Sequence, residues 1–165
     1  MEIFDRLIFV LTFLAVLGSG LIAGLFFAFS VAVMKALGRI PQAEGMSAMQ
    51  SINIVIINPI FLTVFLGTGV ACIVLIIGSI LRWHSGGAGY LLIGALLYLI
   101  GSIIVTMVCN VPMNNALAAA SPTDPKSADL WSNYLSNWTL WNHVRTVASL
   151  AATAMLTMAL VSRSE

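Results

Sequence analysis

Charge is what this sequence has least of. Among its 165 residues seven are Lys or Arg and six are Asp or Glu, 8% in all, against 60% hydrophobic residues. Soluble domains carry roughly 25% charged residues. A soluble chain this poor in charge would expose enough apolar surface to aggregate, so the scarcity points to lipid as the solvent. Basic clusters are missing too, and the formal net charge is +1, which leaves no electrostatic footprint for nucleic acid. The only two cysteines, Cys72 and Cys109, fall in different apolar runs. At helical rise they differ in depth by about 15–20 Å, too far for a disulfide.

What is abundant is long apolar runs. Spans are expected at about 7–34, 59–81, 89–109 and 141–161, each near or above the roughly 20 residues that cross a bilayer core. The fold class that follows is an all-α membrane protein. It is a four-transmembrane-helix bundle with short interfacial amphipathic helices, one integral membrane domain over residues 1–165. The expected location is multi-pass in the cell (inner) membrane, with the lipid bilayer as first partner. The first run begins with Glu2, Asp5 and Arg6 and is longer than a signal-peptide core, so it reads as a retained helix. Gly20, Gly24 and Ala28 in the first span, and Gly94 and Gly101 in the third, form small-residue rows suited to close helix packing.

Between the spans, 44–57 has Met46, Met49, Ile52 and Ile56 at helical spacing and reads as an amphipathic interface helix. Asn58-Pro59 opens the second span. Residues 82–87 form a turn with Trp83 as an interface anchor. The longest connection is expected over 110–137. In it Asp124-Pro125 starts a second amphipathic helix, whose Trp131, Tyr134 and Trp138, with Trp141 after it, read as an aromatic belt. Four spans place both termini and the Arg82 turn on one face. Arg6, Arg82 and Arg163 on that face balance Lys35, Arg39 and Lys126 on the other, so the positive-inside rule favours neither orientation.

Polar side chains gather on the face opposite the termini: Gln50, Asn53, Asn58, Thr106, Asn110, Asn114, Asn115, Asn137, Asn142, His143 and Arg145. Inside a bilayer such groups need partners or water, so this end is expected to hold a polar pocket. Taking Asn142 as zero at about 100° per residue, Trp138 falls near 320°, Arg145 near 300°, Ser149 near 340° and Thr153 near 20°, one stripe facing the bundle. Arg145 either snorkels to the headgroups or is buried against an anionic ligand or asparagine oxygens. His143, about 100° off the stripe, is either an interface histidine or a general base and ligand donor. Asn110 and Asn114, with Pro112 between them, either cap a helix or edge a pocket. With one nearby histidine and only Glu44, Asp124 and Asp129 as acids on that side, no metal site is expected.

The segments Asn110-Val111-Pro112-Met113-Asn114-Asn115-Ala116-Leu117 and Trp141-Asn142-His143-Val144-Arg145-Thr146 carry a resemblance. With Trp131, Tyr134, Trp138, Phe26-Phe27-Ala28-Phe29-Ser30, Met49-Gln50-Ser51-Ile52-Asn53 and Asn58-Pro59, the chain resembles the small membrane proteins named for fungal anthrone oxygenases. The resemblance covers nearly the whole chain. It implies a four-helix membrane fold and an oxidoreductase that oxidises anthrones to anthraquinones with molecular oxygen, without a metal or organic cofactor. Chemistry of that kind needs a base, for which His143 is the candidate. It also needs donors for an oxyanion, for which Arg145, Asn114 and Asn142 are candidates. Asn53, Asn110, Asn115 and the aromatic wall of Trp138 complete the expected substrate site for an anthrone- or hydroquinone-like molecule. The alternatives are a non-enzymatic module that binds a quinone, lipid or small solute, and an assembly subunit. Transport by only four helices would imply a homo-oligomer.

Overall fold

The computed structural model describes residues 2–162. Arg163, counted above with the terminal face, lies outside the described residues. All regular structure among the described residues is helical: α1 (Ile3–Leu37), α2 (Gln42–Val55), α3 (Pro59–Leu81), α4 (Ala88–Ala119) and α5 (Ser127–Val161). Helices α1, α3, α4 and α5 are long and apolar enough to cross a membrane, and the chain is a multi-pass membrane protein. The start of α1, the α3–α4 turn and the end of α5 meet at one face, where Asp5, Arg6, Arg82, Ser85 and Ser162 border one depression and Arg82 pairs with Asp5.

Helix lengths set the architecture. Helix α3 has 23 residues, whereas α1, α4 and α5 have 35, 32 and 35. At about 1.5 Å per residue the three longer helices reach roughly 50 Å, against a hydrocarbon core of about 30 Å. Their ends are level on the terminal face, so the excess projects on the other. There α3 stops short, and α2 occupies the place above it. The membrane-level core joins Ile8, Ile22 and Phe26 of α1, Phe65, Cys72 and Leu75 of α3, Tyr98 of α4 and Leu156 of α5. A second core lies beyond it, where Met46 and Met49 of α2 pack with Met34, Leu37, Leu117, Trp131, Tyr134 and Trp138.

Several expectations change at this second core. The 110–137 connection shrinks to residues 120–126, because α4 continues through Pro112 to Ala119 and α5 begins at Ser127. A proline removes one N–H and its ring presses on the carbonyl four residues back. Here the preceding segment, Thr106–Asn110, widens into a π-helix, which accommodates the ring without ending the helix. Asp124 accepts the Lys126 N–H at 2.9 Å in the turn that precedes α5. Of the expected aromatic belt only Trp141 is exposed; Trp131, Tyr134 and Trp138 are not at the surface. They are 3–6% exposed and form a buried stripe beneath α2 and α4, because α5 runs unbroken from the membrane into the projecting part. Helix α2 is likewise docked on the bundle through Met46 and Met49.

Other expectations hold. Asn58 caps α3, accepting the Phe61 N–H at 3.0 Å with Pro59 in the first turn. Both cysteines are free. Gly94 and Gly101 are contact points: a Cβ on Gly94 would meet Leu156, and one on Gly101 would collide with the Ala148 Cβ. The Gly20–Gly24–Ala28 row does not pack as a unit. Gly20 approaches Thr153, while a Cβ on Gly24 would meet nothing within 4 Å, and Gly24 and Ala28 are exposed.

Two outcomes test this arrangement. Gly101→Ala should destabilise the protein by about 1–3 kcal/mol through overpacking against Ala148, whereas Gly67→Ala, which meets nothing within 4 Å, should be neutral or mildly stabilising. Thermal midpoints in one detergent compare the two; equal losses would contradict the packing. Epitope tags on the two ends should also be reached by impermeant reagents from one side of sealed vesicles only.

Candidate functional site

The site grows out of the buried stripe on α5. Ser127, Trp131, Tyr134, Trp138, Asn142, Arg145, Ser149, Ala152 and Leu156 are all buried, recurring every three or four residues as one helical face. Three π-helical segments pack against this face: Phe29–Val33 of α1, and Leu99–Ile104 and Thr106–Asn110 of α4. Each contributes a polar group bonded to α5. Ser30 partners Thr146 at 3.3 Å. Ser149 donates to Ser102 at 3.2 Å. Asn110 donates to the Trp138 carbonyl at 3.3 Å, and Thr106 accepts from Arg145 at 3.1 Å. A π turn holds one residue more than an α turn and so re-aims side chains locally.

Arg145 is the centre of this network. It is 4% exposed, and among the described residues no carboxylate pairs with it. Its Nη1 donates to Thr106, and its Nη2 donates to Asn142 Oδ1 at 2.7 Å. The guanidinium carbon lies 4.1 Å from the Phe26 ring centroid and 5.0 Å from that of Trp138. These aromatic faces stabilise a cation that has left water. The Nε–H finds no partner among the described residues. Arginine keeps its charge under nearly all conditions, so the result is a buried positive centre supported only by dipoles and π faces. The snorkelling alternative does not occur.

Beside it is an apolar cavity of about 330 Å³, at the lower end of the range for small-molecule sites. It lies where α2 caps the shortened α3. Phe26, Phe29, Met49, Ile52, Phe61 and Phe65 form much of its wall, and Asn53, Thr106, Asn114, Trp138 and Arg145 supply its polar groups. Ile57, Leu66, Met107 and Val111 both line it and are exposed on the outer surface, so its rim is apolar and open. A cleft of about 570 Å³, bordered by the amides of Gln50, Asn53, Asn114 and Asn115 among others, shares Asn53, Ile57, Val111 and Asn114 with the cavity.

The structure separates the expected site residues. Arg145, Trp138, Asn114 and Asn53 come together on the cavity. Asn142 does not line it. This residue is fully buried and donates to the Phe26 carbonyl and Ser30 Oγ, both at 2.7 Å, while accepting from Arg145. It positions the cation and has no N–H left for a ligand. Asn110 is 1% exposed, does not line the cavity and holds α4 to α5. Asn115 is exposed and faces the cleft only. His143 is exposed and lines no part of the cavity, because a residue two positions from Arg145 points about 200° away on a helix. Phe26 and Ser30 were not singled out as site residues from sequence. Ser30 is the one hydroxyl in an otherwise apolar stretch, which was the available signal; nothing distinguished Phe26 from its neighbouring phenylalanines.

Comparison with known proteins bears on the same region. No curated protein and no solved structure matches the chain. The sequence model of one family, described as anthrone oxygenase, matches residues 61–155. That stretch is more than half of the chain and runs from α3 through Arg145 into the membrane part of α5. The chain belongs to the anthrone oxygenase family.

Proposed function

We propose that this protein is a membrane-embedded, cofactor-independent oxygenase acting on a flat apolar aromatic molecule, anthrone- or hydroquinone-like, with molecular oxygen. The observation that carries the reading is the buried Arg145 guanidinium, with no acidic partner among the described residues, at the wall of an apolar cavity. Such a site favours a ligand that is aromatic in body and negative at one oxygen. An anthrone becomes that ligand when it loses a proton to water, and a hydroquinone does so by losing a phenolic proton. The positive centre stabilises the oxyanion in a dry environment where each interaction counts for more than in water. The anion is electron-rich and can reduce dioxygen directly. For an anthrone the balance is one CH₂ plus O₂ giving one C=O plus H₂O. The open apolar rim admits apolar ligand and apolar oxygen. An inner cell membrane suits a chain whose spans are helices, since outer-membrane spanners are closed barrels.

One observation favours a second reading. Among the described residues the cavity lining contains no carboxylate and no imidazole, so none of them stands as a strong base at the substrate. A protein that binds a quinone or similar anion-forming aromatic without turning it over would need only the cation. Oxygen uptake with an anthrone separates the readings: steady uptake supports the oxygenase, and binding without uptake supports the binding module.

Two substitutions probe the residues. Arg145→Lys keeps the charge and loses the planar fork that reaches Thr106 and Asn142 together; ligand affinity and oxygen uptake should each fall about tenfold, which corresponds to about 1.4 kcal/mol. Unchanged affinity would remove Arg145 from the site. His143→Gln should leave both quantities within about twofold of the unmodified protein, because the exposed imidazole does not reach the cavity. A tenfold fall in uptake at unchanged affinity would restore His143 as the base.

A further inference from the structure

The amide of Asn114 has a determined orientation. Indole Nε1–H groups can only donate, and Trp138 donates to Asn114 Oδ1 at 2.8 Å. The Tyr134 hydroxyl donates to the same oxygen at 2.8 Å and accepts from Asn53 Nδ2 at 3.4 Å. Two donors on Oδ1 decide which end of the amide is oxygen. The NH₂ end of Asn114 is therefore turned away from the aromatic stripe, and Asn114 is one of the residues that line both cavity and cleft. Trp138 links this amide to Arg145. The guanidinium lies over the indole face, 5.0 Å from the ring centroid, and Asn114 lies at the indole's Nε1 edge. One charged group at the indole face and one neutral amide at its Nε1 edge thus line the same cavity.

Resting on the function proposed above, we infer that Asn114 is a second catalytic residue: it binds the oxygen that is added to the substrate, at the ring carbon opposite the oxygen held by Arg145. In an anthrone anion the charge is shared between the existing oxygen and the carbon across the central ring. That carbon gives two electrons to dioxygen as a C–O bond forms, and the product is a peroxide anion. Its terminal oxygen takes up the proton released earlier to water. The remaining C–H proton then leaves to water as the O–O bond breaks, which gives the second carbonyl and one water molecule. Negative charge therefore moves from the Arg145 end toward the Asn114 end. An N–H donor fixed at that point stabilises the peroxide as it forms, and afterwards holds the new carbonyl. Tyr134 is a positioning residue, because its hydroxyl orients Asn114 without touching the ligand.

The test compares a one-oxygen ligand with a ligand carrying two oxygens across the ring. Anthrone and 9,10-anthraquinone, both in their neutral forms below the pH at which anthrone ionises, are titrated under nitrogen against protein in lipid nanodiscs. Unmodified protein should bind anthraquinone about fivefold or more tightly than anthrone, the scale of one additional hydrogen bond. Asn114→Leu should abolish that ratio, and Tyr134→Phe, a milder change that keeps the ring, should reduce it. A purely structural role would weaken both ligands together and leave the ratio intact, which would overturn the inference. So would equal affinities for the two ligands in the unmodified protein. Failure to bind either ligand would instead sink the proposed function on which this inference rests.

Discussion

A guanidinium with no carboxylate beside it among the described residues sits inside a membrane bundle, and much of the polar architecture follows from holding it there. A charged side chain at the centre of a membrane helix costs about 3 kcal/mol on insertion scales. The chain offsets that cost in three ways. Asn142 and Thr106 accept two of the guanidinium's N–H groups. Phe26 and Trp138 offer π faces. Asn142 is itself fixed by the Phe26 carbonyl and Ser30. The same phenylalanine therefore serves twice, its ring against the cation and its carbonyl against the amide that orients it.

A carbonyl inside a regular helix is already engaged along the helix axis. The three π segments lie where α1 and α4 meet the α5 stripe, and their extra residues bring Ser30, Ser102, Thr106 and Asn110 to it. Interhelical hydrogen bonds of this kind in a membrane are worth roughly 1 kcal/mol each. Their larger effect is to fix the register of α1 and α4 on α5, and so the position of Arg145 relative to the cavity. The fold and the site are in this sense one network.

The cavity itself is a consequence of unequal helix lengths. Helix α3 ends while its three neighbours continue, and the space above its first turns is covered by α2 rather than by a fourth long helix. That places the cavity at the start of α3, with an apolar rim on one side and an amide-lined cleft on the other. Family membership fits this design but does not by itself name a substrate, since one fold can carry several chemistries. The site argues for an aromatic anion because of its cation, its apolar walls and its small volume.

What the sequence by itself determined is what depends on local pattern. Four apolar runs, the Asn58-Pro59 start of α3, the separated cysteines and the inward face of Arg145 on α5 are all read at fixed spacing along one helix. Residues 110–137 were not legible in the same way. Proline and a run of asparagines signal a loop locally, yet a π turn and the packing of Leu117 under α2 keep α4 helical. Trp131, Tyr134 and Trp138 have the composition of an interface belt, and only the docking of α2 makes them core. The asparagines look alike in sequence. Tertiary contacts alone decide that Asn142 and Asn110 hold helices together, that Asn115 faces outward, and that Asn53 and Asn114 reach the cavity. The physical reason is that an amide has both donor and acceptor, so its role depends on which partners the neighbouring helices bring within about 3 Å.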